Sequence, residues 1–394
     1  MSGLNPHLLA TPPPPVTEAR RWLDDAPAGL RVIDVSQAAP AEPPPEPLRR
    51  EIARVALEEA DAHLYGPVLG LPALRARLAA EWTAAYGASV AAADVAVTSG
   101  CNQAFATAVS ILAAPGDEVI LPVPWYFNHA MWLSQQGLRA VPLPTGEALI
   151  PDPDAAARLI GPRTRAIALV TPNNPTGREY PAEILAAFLD LCRARGIALI
   201  LDETYRDFHS AGGAPHDLLA RDWRGTLVQL YSFSKAYRLT GHRVGAMVAD
   251  AAFLAQAEKV LDTVTICPNG IGQRAALWGM ENLGAWLAGE RAEVLARRDA
   301  VLSALGSLPG WRALSAGAYF AYAGHPWDAP SAAVARALVR QRGVLALPGA
   351  MFHPGGDPAG DRTVRIAFAN LDRPGIALLA ERLAGDLEGL SPRG

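Results

Sequence analysis

Short, mainly apolar runs at 95–98, 118–123, 166–171, 197–201 and 226–231 read as buried strands, because none shows a strict apolar/polar alternation. Between them, 101–112, 128–136 and 181–194 carry the wider apolar spacing of helices. Strands alternating with helices over some two hundred residues predict an α/β fold, with a mostly parallel sheet covered by helices on both faces. In that architecture ligands gather at the carboxyl ends of the strands. Before residue 51 the pattern is different. Pro12 to Pro15 and the run 40–47 favour extended backbone and exclude a helix, so this segment is expected to be an arm rather than a core.

At 394 residues the chain exceeds what one growing core holds, which implies two domains or one domain with an appendage. No apolar run approaches the length of a membrane span, and the start shows no basic region leading into an apolar stretch. Three scattered cysteines, Cys101, Cys192 and Cys267, suit neither a disulfide framework nor a zinc site and fit a reducing cytoplasm. A net charge of -4 with mixed signs leaves no basic footprint for nucleic acid.

Composition changes the picture at one point. Of thirty-five basic residues only two are lysine, Lys235 and Lys259. Arginine cannot act as an amine nucleophile, whereas a desolvated lysine deprotonates and forms imines, so a lysine retained against this bias is a candidate for covalent chemistry. Lys259 reads as a solvated helix position. Lys235 sits in Ser232-Phe233-Ser234-Lys235, directly after a strand, with Arg243 eight residues on. Ser232 and Lys235 also match the S-x-x-K of serine acyl-transfer enzymes, but the companion motifs are missing.

Other polar motifs also fall at strand ends. Ser99-Gly100-Cys101-Asn102 opens a helix whose free backbone N–H groups could receive a phosphate; the plainer reading is a capped turn with Ser99 as N-cap. Thr171 to Gly177 forms a stiff turn that presents an asparagine amide. Asp202 emerges from a strand buried on both faces and must either meet a cation or donor there, or cap the next helix.

Taken in order, these motifs resemble the pyridoxal-phosphate enzymes of aminotransferase class I/II, fold type I, from Tyr65-Gly66 to Arg365-Ile366-Ala367-Phe368. The resemblance implies a seven-stranded large domain at 49–280, with a Pro-rich arm at 1–48 joining a smaller α+β domain at 281–394. It implies that Lys235 holds pyridoxal 5'-phosphate as an imine and moves the substrate's α-proton. Asp202 would pair with the cofactor's pyridine nitrogen, and Asn174 and Tyr205 with its 3' oxygen. Gly100, Cys101 and Asn102 backbone, with Ser232, Ser234 and Arg243, would hold the phosphate. Tyr126 would stack on the ring, with Trp125 the next choice. Arg365, with Asn174 and the backbone near Ala38, would bind the substrate carboxylate. Tyr65 would reach the neighbouring subunit's phosphate, implying a homodimer.

The expected activity is transfer of an L-amino acid's amino group to a 2-oxo acid. A C–S or other elimination lyase would share the same cofactor shell. A non-enzymatic regulatory relative is disfavoured, since it could afford to lose Lys235 or Asp202. Three positions depart from the family: Gln37-Ala38-Ala39-Pro40 replaces a pattern like Gly-Glu-Pro, His129 stands where tyrosine is common, and Cys101 where glycine or alanine is usual. Arg238 and His129 are the remaining basic side chains that could meet a distal carboxylate, while Trp125, Tyr126 and Phe352 favour an apolar or aromatic donor.

Overall fold

A computed structural model describes residues 3–393; Met1 and Ser2, the start of the segment read as lacking a signal, lie outside it. The strands in chain order are β1 (Ile33–Asp34), β2 (Val95–Thr98), β3 (Glu118–Val123), β4 (Arg139–Pro144), β5 (Thr164–Val170), β6 (Ala198–Asp202) and β7 (Leu227–Ser232). They continue with β8 (Gly245–Val248), β9 (Arg312–Gly317), β10 (Phe320–Gly324), β11 (Val344–Leu345), β12 (Leu347–Pro348) and β13 (Thr363–Ile366).

The large sheet has seven strands in the order β2-β8-β7-β6-β5-β3-β4, all parallel except β8, which runs antiparallel between β2 and β7. Alternate residues feed two cores. Leu199, Leu201, Leu227 and Tyr231 pack on one face, and Ala198, Ile200, Val228 and Leu230 on the other. Burial on both faces explains why these strands read as continuous apolar runs. A second, four-stranded antiparallel sheet in the order β12-β13-β10-β9 supports a separate core with Val334, Leu338, Ile376 and Leu379. The helix Gly284–Ser307 belongs to both bodies. Trp286 and Leu287 pack against the large core, whereas Val294, Val301 and Leu305 lie in the small one.

The arm departs from the expectation of an extended segment. Helices occur at Pro6–Ala10 and Pro15–Arg21, and another begins at Glu46 with Pro47 in its first turn. Proline excludes a helix only from its interior; in the first turn its missing N–H costs nothing and its fixed φ is already helical. Trp22 and Ala19 then pack with Ala335, Val339 and Phe352. The arm's β1 pairs in parallel with β11.

Candidate active site

The carboxyl ends of β5, β6 and β7 open on a cavity of about 480 Å³. It brings together Ala38, Cys101, Asn102, Tyr126, Asn174, Asp202, Tyr205, Ser232, Ser234, Lys235, Arg243 and Arg365. Gly100 stands just behind, where an added Cβ would run into the Arg243 guanidinium. Tyr65 lies outside the cavity and is 80% exposed.

The strand-to-helix turn after β2 has Gly100 as N-cap at φ 86 with no side-chain cap, so Ser99 does not play the capping role the simpler reading gave it. Its N–H instead donates to Gln103 Oε1. Left-handed backbone at Gly100 aims the first N–H groups of the helix Cys101–Leu112 past the turn, and an uncapped start leaves them available to an anion. Arg243 closes the same corner, donating to Ser99 O (3.4 Å), Ser234 Oγ (3.5 Å) and Thr240 O (3.2 Å). The long bonds suit a group that has capacity for a stronger acceptor.

The two asparagines of the turn after β5 divide the work. Asn173 Oδ1 accepts from Thr176 N–H (3.1 Å) and from its hydroxyl (2.8 Å), which shapes the turn. Asn174 is left to face the cavity, where its Oδ1 accepts from Arg365 Nη1 at 3.0 Å. Arg365 sits between the Phe320 and Phe352 rings at 5.0 and 4.9 Å, and donates from Nη2 to Ser36 O. Its buried Nε has no partner among the described residues. Burial lowers the guanidinium to about 10, still charged at neutral pH.

Lys235, on the short helix Phe233–Ala236, donates from Nζ to the Ala38 carbonyl at 2.6 Å. Burial, aided by Arg243 and Arg365, brings its ammonium down to about 8, so a useful fraction is a neutral amine near physiological pH. Tyr205 and Tyr319 present their rings 5.8 and 6.0 Å from Nζ.

Asp202 is buried with Cys101 and His129 on one side of β6. His129 Nε2 stands 3.4 Å from Asp202 Oδ2, and Thr204 N–H donates to Oδ1 at 2.9 Å. Burial opposes the carboxylate, but the His129 hydrogen bond and charge, with the Thr204 bonds, outweigh it and hold the carboxyl below its usual range. Asp202 therefore presents a fixed negative charge to the cavity. The His129–Asp202 pairing did not emerge from the sequence, although His129 follows Tyr126 by three positions along one helical face, which carries both rings to the same rim. His129 stacks on Phe105 at 3.7 Å and takes Tyr126 edge-on at 5.1 Å. Trp125 does not line the cavity and Tyr126 does. Burial, then the Asp202 charge, raises the Tyr126 hydroxyl to about 12. Burial likewise pushes the Cys101 thiol well up, which makes it unreactive.

Arg238, held open above as a partner for a distal carboxylate, points away from the cavity and pairs with Glu42 and Glu290. Glu203 leaves β6 on the face opposite Asp202, where it accepts from Tyr86 Oη (3.0 Å) and meets His216 Nε2 (3.1 Å).

A fixed carboxylate, an amine with a lowered pKa and an arginine at either end make a site that can pair with a cationic ring, attack an electrophilic carbon and hold two separate anions. Residues 31–383 match the family described as aminotransferase class I and II. The chain belongs to that family. This aminotransferase is 30% identical over 84% of its length to an aromatic aminotransferase of Arabidopsis thaliana, covering 83% of that protein. It is 31% identical to a valine–pyruvate aminotransferase of Mycobacterium tuberculosis, covering 86% of this chain and 87% of the other. A single mutant of Thermus thermophilus aspartate aminotransferase superposes with a TM-score of 0.88 at 26% identity, covering 98% and 99% of the two chains. The aminotransferase is thus a pyridoxal-phosphate-dependent transferase acting on amino acids and 2-oxo acids, and its relatives favour transamination over elimination. Its residues fit the cofactor, since the uncapped turn at Gly100 leaves helix N–H groups free beside Arg243, whose own bonds of 3.2–3.5 Å are long, and the unpartnered Arg365 Nε remains for the substrate's carboxylate. Among the described residues, no helix is long and apolar enough to cross a membrane.

Proposed function

We propose that the aminotransferase accepts an L-amino acid with an uncharged side chain as donor, and that Lys235 is the residue that both anchors the cofactor and moves the donor's α-proton. The observation that carries the reading is the single buried amine, lowered to about 8, facing a cavity closed at its ends by Arg243 and Arg365. When bound, pyridoxal 5'-phosphate supplies an aldehyde that exchanges amines and a ring that takes up electrons from the donor's Cα. Asp202 keeps the ring nitrogen protonated. Asn174 and Tyr205 hold the 3' oxygen, and Tyr126 covers the ring. The N–H groups of Cys101 and Asn102 beside Gly100, with Ser232, Ser234 and Arg243, neutralise the phosphate. Arg365 grips the α-carboxylate bidentately, next to Asn174 and the backbone at Ala38. Lys235 Nζ, in its neutral form, removes the proton from Cα.

The donor's side chain would face Pro14, Pro15, Val16 and Phe127, and the basic residues lining the cavity among the described residues are Lys235, Arg243 and Arg365. The apolar lining favours an uncharged donor. The names of the aromatic and valine–pyruvate relatives favour it, and that of the aspartate aminotransferase does not.

The assembly proposed is a cytoplasmic homodimer in which Tyr65 reaches the partner's phosphate. Leu57, Leu64, Tyr65, Val264 and Ile266 are exposed, and Gly66 N–H donating to Cys267 Sγ joins the two stretches into one apolar surface. Residues 1–48 and 281–394 would form the small domain that closes on 49–280, turning about the helix Gly284–Ser307.

Addition of a donor without a 2-oxo acid tests the reading. The visible absorbance of the loaded enzyme should bleach and pyridoxamine phosphate should remain. No response to a full panel of amino acids would refute it, and release of ammonia or pyruvate without acceptor would point to elimination.

A further inference from the structure

The wall of the cavity opposite the cofactor sheet is the irregular stretch 36–45, between β1 and the helix that begins at Glu46. Its position is set by groups reaching it from elsewhere. Arg365 donates to Ser36 O, Asn370 to Gln37 O and Lys235 to Ala38 O. Of these, Lys235 cannot be a permanent anchor if it works on the cofactor. Arg238 is the other anchor that leaves from the lysine's own loop. It donates from Nη1 to Glu42 Oε2 and to Pro43 O (3.4 Å), and from Nε and Nη2 to Glu290 Oε2, the first at 3.1 Å. Its backbone is left-handed, φ 56, and its guanidinium lies 5.4 Å from the Trp286 ring.

We propose that Arg238 is a positioning residue that clamps the 36–45 wall to the lysine loop and to the helix Gly284–Ser307, so that the Ala38 carbonyl waits for the Lys235 amine whenever that amine leaves the cofactor. The inference rests on Lys235 being the cofactor lysine. An exposed ion pair alone would contribute little. Here the guanidinium is largely buried, satisfies two carboxylates through different edges, and grips a segment stiffened by Pro40, Pro43, Pro44 and Pro45. Fixing Glu42 therefore fixes Ala38 four residues away. A carbonyl accepting from Nζ at 2.6 Å favours the ammonium form of Lys235, which burial first, and then Arg243 and Arg365, oppose. Of the other groups near Nζ, namely Asp202, Tyr126, Tyr205 and Tyr319, the last also feels the Arg238 and Glu290 charges, which is why the E42Q variant, leaving both in place, is the cleaner probe.

The test uses the rarity of lysine. Wild type, R238A, R238K and E42Q are converted to the pyridoxamine-phosphate form, which frees the Lys235 amine. Each is exposed to limiting acylating reagent over a pH series, and peptide mass spectrometry reads Lys235 against Lys259 as an internal standard. Loss of one hydrogen bond to a charged group lowers the Lys235 midpoint by about one pH unit in R238A and in E42Q. R238K should fall between, because one ammonium cannot serve Glu290 and Glu42 side by side. The R238A/E42Q double variant should shift no further than either alone. A Lys235 midpoint unchanged in E42Q overturns the proposal; Glu42 is 68% exposed on its side chain, so this variant folds whether or not R238A does. Equal labelling of wild-type Lys235 in the pyridoxal and pyridoxamine forms would instead refute the assignment of Lys235 itself.

Discussion

Replacing His129 by phenylalanine removes the donor to Asp202 while keeping an aromatic ring against Phe105, where the native imidazole stacks at 3.7 Å and 12°. Both His129 and Asp202 are buried, so water does not replace the lost partner. Loss of the partner at 3.4 Å removes a contact that favours the ionised form, so the Asp202 carboxyl rises towards its ordinary range. The sign follows from the balance at that carboxylate: burial raises its pKa, His129 and Thr204 hold it below the ordinary range, and only Thr204 remains in the variant. Because a depressed carboxyl contributes stability above its unfolded pKa and loses it as pH falls through the folded value, H129F should lose cofactor at a higher pH than wild type. Cofactor affinity should fall on the acid side of neutrality, where Asp202 takes up its proton earlier than in wild type, and change little at neutral pH, where the carboxylate is ionised in both. Titration of cofactor-free protein with pyridoxal 5'-phosphate, followed by absorbance across a pH series, measures both. An unchanged acid limb would refute a role for His129 in setting Asp202.

G100A should push aside the Arg243 guanidinium and strain a left-handed position, lowering affinity for pyridoxal 5'-phosphate far more than for pyridoxal; equal losses would contradict a phosphate site there. R365K should lower kcat/KM for amino donors by about 30-fold or more while leaving the cofactor spectrum intact, read by steady-state kinetics. The rate at which cofactor-free enzyme takes up pyridoxal 5'-phosphate should rise with pH and level above about 8, as the Lys235 amine becomes neutral. An L57D/I266D double variant should sediment as a monomer and lose turnover if the exposed apolar surface pairs two copies.

The strand-end motifs were legible because a sheet buried on both faces expels polar side chains to its edges, so any polar cluster after an apolar run marks the cavity. Thus 95–98 and 118–123 were read with the bounds the fold gives them, and Asp202, Lys235 and Asn174 fell at strand ends. What escaped depended on contacts distant in sequence. The antiparallel β8, four residues long, has too little periodicity to be told from a loop, and its place between β2 and β7 is a tertiary choice. Pro15 and Pro47 mislead because a helix's first turn and its interior treat proline oppositely. His129 was noticed as an unusual residue, but its partner lies on another element. Arg238 stays open as a partner for a distal carboxylate on sequence alone, because Glu42 and Glu290, which occupy it, are distant in sequence.

Asp202 and Glu203 are consecutive carboxylates that β6 sends to opposite faces, one into the cavity beside His129 and the other into a closed cluster with Tyr86 and His216. The sheet therefore works as a partition between two acid compartments fed by adjacent codons. Substitutions around Glu203 can retune the rigidity of the floor without altering the charge above it. Loss of a single residue in β6 would bring Glu203 to the cavity position and turn Asp202 to the other face, leaving a longer carboxylate above and a shorter one stranded below.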